Sequence, residues 1–359
     1  MTNNKVDFLT DNQKSLNRLK SYTTDNRVVH KAKDEDIIQK IGKVLGQKFF
    51  DYRKEWDAAN RFEIVTEFPL FLQLDMFQVC NYACPHCNIA NPKTLLKAYN
   101  GKIETKMDFE KYKRIVDEGS DYNCPSIEPQ GVNEPLLIKD FHKYVRYAYD
   151  KGFMDIMINT NASALTPKRS QQLLDSGITR LRFSLDAATP ETYKKVRVGS
   201  RPLDQVIRNI ETFLELKEKG NYKLPVTGVS MCVLKGNQHE KQMFEDFWID
   251  KVDMVTFQAF QPPNFEEDFT DFYPDMDSSH FKESKPEYRC PQPFHRVVIR
   301  NDLITPCCAT CSNELPLGHI KDGVHKAWHG TLAKKLREIH KKGRYYDNAV
   351  CKKCIESTS

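Results

Sequence analysis

Cys80, Cys84 and Cys87 stand in the run C-N-Y-A-C-P-H-C, just after an apolar stretch from Phe68 to Phe77. Spacings of three and two residues let one tight loop present three thiolates to a single iron–sulfur cluster. A [4Fe-4S] cube takes four ligands, so three local cysteines leave one iron open to bind and activate a substrate or cofactor. A structural zinc loop is the alternative, although zinc usually gathers paired CxxC or CxxH knuckles and the gap of three is unusual there. His86, inside the loop, is expected to pack beside the metal rather than ligate it. Six more cysteines lie towards the C-terminus, at Cys290, Cys307, Cys308, Cys311, Cys351 and Cys354. With Cys124 and Cys232 the chain holds eleven.

At 359 residues, 40% hydrophobic and 29% charged, the chain has room for one large and one smaller globular domain. No run approaches the length of a membrane span, and Met1 to Lys20 is polar throughout, which argues against a secretory signal. Eleven cysteines in that context point to metal or redox chemistry in a reducing compartment, so a cytoplasmic protein is expected. The net charge of +5 is spread along the chain and gives a nucleic-acid partner little support. Neither a nucleophile elbow nor a phosphate loop stands out; Lys235-Gly236-Asn237 lacks the rest of a P-loop.

The elements that must carry these cysteines alternate. Apolar runs at Phe71–Phe77, Ile156–Asn159, Leu181–Leu185, Val226–Val233 and Met254–Phe260 read as buried strands. Amphipathic patterns at Phe109–Glu118, Lys139–Tyr149, Pro167–Ser176 and Leu203–Lys219 read as helices between them. Repeated βα units predict a parallel sheet covered by helices, with ligands at the carboxyl ends of the strands. Before them, residues 1–66 read as a helical extension. From Asp34 to Asn60 it puts Ile37, Ile38, Ile41, Val44, Leu45, Phe49 and Phe50 on one stripe, as a cap on the main domain or a docking element. After them, residues 263–288 form an acidic, proline-containing loop. From Pro262 to Glu287 there are eight carboxylates against two lysines, a weak pointer to a cationic substrate if the loop overhangs the pocket.

The CxxxCxxC loop after the first strand resembles the hallmark of the radical S-adenosylmethionine (SAM) superfamily. That resemblance implies an α/β fold, a partial (β/α)6 TIM-like barrel over 67–262, and a [4Fe-4S] cluster whose open iron binds SAM. Gly131-Val132-Asn133-Glu134-Pro135 looks like a variant of the family's GGE motif. Gly131 would then permit close approach, and Glu134 would neutralise the methionyl amine beside Asn133. Asn161 closes Ile158-Asn159-Thr160-Asn161 at a strand end. Ser184 and Asp186 alternate onto one face to meet ribose hydroxyls, and Arg197 matches an arginine that pairs with the SAM carboxylate. Reductive cleavage of SAM would give a 5′-deoxyadenosyl radical that removes hydrogen from unactivated carbon, with a flavodoxin- or ferredoxin-type electron donor.

Residues 289–359 closely resemble the small SPASM/Twitch iron–sulfur domain of such proteins. The cysteine count favours the Twitch form with one auxiliary [4Fe-4S] cluster, held by Cys290, Cys307, Cys351 and Cys354. Cys308 competes with Cys307 for the second position, Cys311 is a spare, and a zinc ribbon is the other use of these residues. Together the two resemblances cover about residues 71 to 354. They imply oxidation at a C–H centre of a small polar substrate, sugar-like or aminocyclitol, with the auxiliary cluster taking the electron. Modification of a ribosomal peptide is the alternative, in which Cys232 or Cys124 could return a hydrogen atom. A non-catalytic iron–sulfur carrier is the reading from another class, and a carrier has no use for the SAM-holding positions.

Overall fold

The computed structural model describes residues 28–32, 36–264, 267–275 and 288–356. Its strands are β1 (Val28–Lys31), β2 (Phe71–Asp75), β3 (Ser126–Glu128), β4 (Asp155–Thr160), β5 (Arg180–Ser184), β6 (Val226–Val233), β7 (Met254–Ala259), β8 (Arg296–Arg300), β9 (Leu303–Thr305) and β10 (Gly318–His319). From β2 to β7 the neighbours follow chain order and every pair is parallel, giving the six strands expected of the partial barrel, joined by five helical crossovers. The expected strand Phe71–Phe77 stops at Asp75, where the chain turns into the cysteine loop.

Thirteen α-helices are described: α1 (Ile37–Leu45), α2 (Gln47–Asn60), α3 (Pro92–Ala98), α4 (Phe109–Asp121), α5 (Phe141–Asp150), α6 (Pro167–Leu174), α7 (Pro190–Val196), α8 (Leu203–Lys219), α9 (Lys241–Trp248), α10 (Gln292–His295), α11 (Val324–Trp328), α12 (Thr331–Lys341) and α13 (Ala349–Glu356). Three of them start with the same device, a side-chain cap followed by proline at the first helical position: Asn91-Pro92, Thr166-Pro167 and Thr189-Pro190. The cap oxygen satisfies an orphan amide while proline gives up an amide that would have had no partner.

Alternation along the strands divides their side chains between two environments. Leu72, Leu74, Ile127, Ile156, Ile158, Leu181, Phe183, Val229, Met231 and Val255 point outward into one core shared with the helices. The other set points into the barrel. At the amino-terminal end the barrel is floored by α1 and α2, whose Ile37, Ile38, Ile41, Phe49, Tyr52 and Trp56 meet Phe71, Val226 and Phe294. The predicted stripe is therefore a cap, with one change. Gly46, at φ 79°, ends α1 and redirects the chain, so Val44 is left 45% exposed and Tyr52 and Trp56 continue the apolar face. Polar groups lock the same floor: Arg180 grips Asp155 through two bonds, 2.6 and 2.8 Å, and the Tyr52 hydroxyl donates to Asp155 at 3.3 Å.

Both edges of the parallel sheet are occupied. The 1–66 segment, read as helical, also supplies β1, which pairs antiparallel with β7 and places the His30 ring nitrogen 2.9 Å from the Thr256 hydroxyl. On the other edge β8 joins β2 in parallel, and β9 and β10 extend the sheet antiparallel, so barrel and C-terminal segment share one ten-stranded sheet. Trp328 secures that segment, fully buried, with its indole donating to Thr66 O at 2.8 Å and the Arg337 guanidinium 3.9 Å from its ring. Of the acidic loop, 265–266 and 276–287 lie outside the described residues. Phe269, Phe272 and Tyr273 pack on Phe260, and Glu267 accepts hydrogen bonds from Asn91 and Thr94 at the start of α3.

Two measurements test the floor and the β1 edge. Asp155→Ala strands Arg180 in the floor without its carboxylate, and should cost about 3–5 kcal/mol in urea unfolding at unchanged slope. His30 is held at a pKa of about 3 by burial and by the nearby Arg182 and Arg180, against 6.5 when unfolded. The unfolded chain therefore binds the extra proton, and stability falls as pH drops below 6.5. Between pH 7 and pH 5 the wild type should lose about 2 kcal/mol through this residue. His30→Gln should lose correspondingly less over the same interval; an identical loss in both proteins would remove His30 from the account.

Candidate active site

The cysteine loop leaves the top of β2 and is pinned on several sides. Ala83 N donates to Val198 O at 2.8 Å, Asn81 Nδ2 to the Ser163 hydroxyl at 2.9 Å, and Glu134 N to Val79 O at 2.9 Å. Three donors approach its sulfurs: Tyr82 N at 3.4 Å and Asn161 Nδ2 at 3.9 Å from Cys80, and Arg197 Nη1 at 3.9 Å from Cys84. Burial pushes the thiol of Cys80 up to about 12 and that of Cys87 to about 11, with the other loop thiols adding to the shift. Three soft sulfurs on one loop, fed by amide and guanidinium donors, make a donor set suited to an iron–sulfur cluster.

Asp186 is the centre of the surrounding network. It is buried, sits at φ 63° just past β5, and accepts the Cys232 amide at 2.7 Å. Arg197 Nη2 lies 2.7 Å and His86 Nε2 3.1 Å from its second oxygen. Burial works against its charge, but Arg197 and His86 outweigh this and hold its carboxyl below the usual range. Arg197, the C-cap of α7, is likewise kept charged by Asp186 against its own burial. So His86 faces a carboxylate, and Asp186, expected to meet ribose, spends its side chain on β6, the end of α7 and the loop.

Glu134 also differs from the simple expectation. Its two oxygens accept from Thr160 Oγ1 at 2.7 Å, Asn161 N at 2.7 Å and Leu136 N at 3.0 Å, tying the motif loop to the end of β4. A carboxylate has about four acceptor positions, so one is left for a ligand amine. Gly131 is needed for packing: a Cβ there would overlap the Asp75 carboxylate, which takes hydrogen bonds from the Tyr99 hydroxyl and, at 3.1 Å, from Val132 N. Asn133 Nδ2 donates to Phe77 O at 2.9 Å, while its Oδ1 is buried without a partner. Asn161 Oδ1 receives the Ser163 amide and hydroxyl.

Ser184 and Cys232 are half-buried on the inward face of the barrel, below this network. Burial, and then the charge of Asp186, push the Cys232 thiol well above its ordinary range, so it stays protonated. The Cys124 thiol is at the opposite end, before β3, donating to Pro69 O at 3.1 Å. Sequence reasoning missed Glu128 on β3 and Arg182 on β5, which share the lumen with Ser184. Burial raises Glu128 to about 7 despite Arg182 and Arg296.

The C-terminal cysteines converge as well. Cys307 is pushed far up by burial and then by the sulfurs of Cys354, Cys308 and Cys290, and Cys351 to about 12 by burial with Cys290 and Cys354. In the Cys307–Cys308 doublet the second side chain is exposed and turned to Gln292 Oε1, 3.5 Å away. Cys290 N donates to His340 Nδ1 at 3.3 Å, and burial keeps that imidazole neutral with a pKa of about 4. Cys311 is buried.

Among known proteins, the chain is 31% identical over 144 residues to a probable GTP 3′,8-cyclase of Methanococcus maripaludis strain C5, covering 40% of this chain and 45% of the relative. Against an AdoMet-dependent heme synthase of Methanosarcina barkeri it is 27% identical over 147 residues, 41% of this chain and 40% of the relative. The chain thus spans less than half the length of these relatives. Two solved structures share the fold at 16% identity. Streptococcus suis SuiB bound to S-adenosylmethionine gives a TM-score of 0.59 over 89% of this chain and 81% of that one. BtrN in complex with AdoMet and 2-DOIA gives 0.51 over 80% and 93%. Residues 74–247 match the Radical SAM superfamily profile. With the cysteine loop, six parallel strands and motif loops gathered at one end of the barrel, residues 74–247 form a radical SAM superfamily domain.

Proposed function

We propose that this chain is a radical SAM oxidoreductase that oxidises a C–H centre of a small polar metabolite, sugar-like or aminocyclitol. The observation that carries this reading is the gathering of Cys290, Cys307, Cys351 and Cys354 beside β8, the strand that pairs with β2. Because β2 runs directly into the Cys80–Cys87 loop, a second cluster there would be tied to the first through one hydrogen-bonded pair of strands. Cys307 is the ligand of the doublet, since Cys308 faces outward. Four-cysteine ligation leaves no open iron and suits electron transfer.

When bound, the cluster and SAM together supply a 5′-deoxyadenosyl radical that takes a hydrogen atom from carbon. The chain's own residues position the reactants. Cys80, Cys84 and Cys87 hold the first cluster. Arg197, kept charged by Asp186 beside Cys84, offers Nε, which is buried without a partner, to the SAM carboxylate. Glu134 keeps an acceptor position for the amine, and Asn133 and Asn161 flank it. Ser184 faces the lumen where the ribose edge and substrate meet. The apolar floor closes the foot of the barrel with side chains, which keeps the reaction at its upper end. A flavodoxin- or ferredoxin-type protein would deliver the reducing electron.

The main test is anaerobic reconstitution with iron counting. Wild type should hold about eight irons, four per cluster, and the Cys80/Cys84/Cys87 triple alanine variant about four. Only wild type should make 5′-deoxyadenosine under reductant. About four irons in wild type would remove the auxiliary cluster and the oxidation argument. No nucleoside from wild type would favour an electron carrier.

One observation favours a second reading, modification of a ribosomal peptide by epimerisation or crosslinking. Cys232 keeps a protonated thiol on the lumen wall within electrostatic reach of Cys84 and Cys87, as a hydrogen-atom donor must, whereas Cys124 is at the wrong end of the barrel. If the product is an epimer, Cys232→Ala should abolish inversion while 5′-deoxyadenosine still forms; an unchanged epimer yield would exclude this thiol.

A further inference from the structure

The inward face of the barrel is polar and carries charge. Gln73, Asn159, Arg182, Ser184, Cys232 and Gln258 keep accessible surface while their outward neighbours on the same strands keep almost none, so the exposed atoms face the lumen. Arg182 touches Met157 Sδ through Nη2 at 3.6 Å, and its Nε is buried without a hydrogen-bond partner. Gln73 Oε1 is buried and unpartnered too. Glu128, two strands away, acts on Arg182 through space but takes its own hydrogen bond from Asn159 Nδ2, at 2.6 Å.

The remaining charges do not balance Arg182. Arg180 is matched by Asp155, and Asp75 is answered by Arg300 and Tyr99. His30 stays neutral beside Thr256, and Arg296 lies over the Phe71 ring at 4.9 Å with Glu128 in its field. The lumen thus sets two guanidinium groups against the single carboxylate of Glu128. Burying a guanidinium nitrogen with no acceptor in contact is unfavourable, a cost that leucine or methionine at the same position would avoid. A group arriving from outside would remove it.

We propose that Arg182, on the same inward face as Gln73 and Glu128 and linked to them through the register Gln73–Glu128 and Asn159–Arg182, forms a subsite for a hydroxyl-bearing small molecule that carries an acidic group. The carboxylate or phosphate meets the guanidinium fork, and hydroxyls meet Gln73 and Glu128. This rests on the small-metabolite reading above and narrows it, from amino sugars and aminocyclitols towards sugar acids. It also sets the lumen against the acidic 263–288 stretch, whose composition alone pointed to a cation.

The test uses the two-cluster protein, oxidised and saturated with SAM so that no turnover occurs. D-glucuronate, glucose 6-phosphate, D-glucose and D-glucosamine are titrated by calorimetry. At least one anionic probe should bind about tenfold tighter than D-glucose, glucuronate and the phosphate ester distinguishing carboxylate from phosphate. Arg182→Met should abolish that preference, and Arg182→Lys should recover part of it. SAM titration of each variant reports whether the barrel top is intact, so a variant that fails to bind SAM is replaced by Gln73→Leu, which should weaken the same anionic probe. Tightest binding of D-glucosamine, an anion preference that survives Arg182→Met, or no binding of any probe by SAM-binding wild type would overturn the subsite. Wild type that forms no 5′-deoxyadenosine under reductant would instead overturn the radical SAM oxidoreductase reading itself.

Discussion

One buried carboxylate joins the parts that must stay in register for this site to exist. Asp186 touches β6 through the Cys232 amide, the end of α7 through Arg197 and the cysteine loop through His86. Its own carbonyl accepts from Asn237 Nδ2 at 2.7 Å, adding the segment before α9. An ordinary backbone conformation at Asp186 would aim the carboxylate elsewhere; the left-handed φ is the local cost of turning it towards the loop. Arg197 then does two things with one charge, answering Asp186 and lying beside Cys84, so the position of a cluster ligand is coupled to the position of a strand end.

The two ends of the barrel show how one sheet serves opposite purposes. At the foot, apolar side chains from α1 and α2 fill the space, and Asp155 answers Arg180 at close range. Higher up, the inward positions change to glutamine, asparagine, glutamate and arginine with residual exposure and unmet hydrogen-bonding capacity. The same alternation that builds a core on the outside leaves a chemical surface inside, because above the floor it is the outer residues that meet helices.

What could be read from the sequence follows this division. Strands β4 to β7 are buried on the helix side, so their Ile, Leu, Phe and Val runs were legible, as were cysteine spacings that depend on no distant partner. Strand β1 was not: four residues acquire their conformation from β7, more than two hundred residues away. The helical stripe was legible but its break at Gly46 hid Tyr52 and Trp56. Of the site, Ser184 and Asp186 were found because they close a strand, yet the partners that engage Asp186 come from three separate segments. Arg182 and Glu128 escaped for a plainer reason. A polar residue alternating with apolar ones signals a solvent face in most strands, and only closure of the sheet turns that face inward.

The pairing of β8 with β2 has a bearing on solubility as well as on wiring. β2 lies between β3, which pairs with Phe71, Leu72 and Gln73, and β8, which pairs with all five residues Phe71–Asp75. A chain cut before residue 289 would keep the barrel's apolar strand Phe-Leu-Gln-Leu-Asp but open its outer edge, with no bulge, proline or lysine within it to discourage another chain from adding there. The C-terminal segment is therefore also an edge guard, and fragments that lack it are liable to self-association before any question of metal content arises.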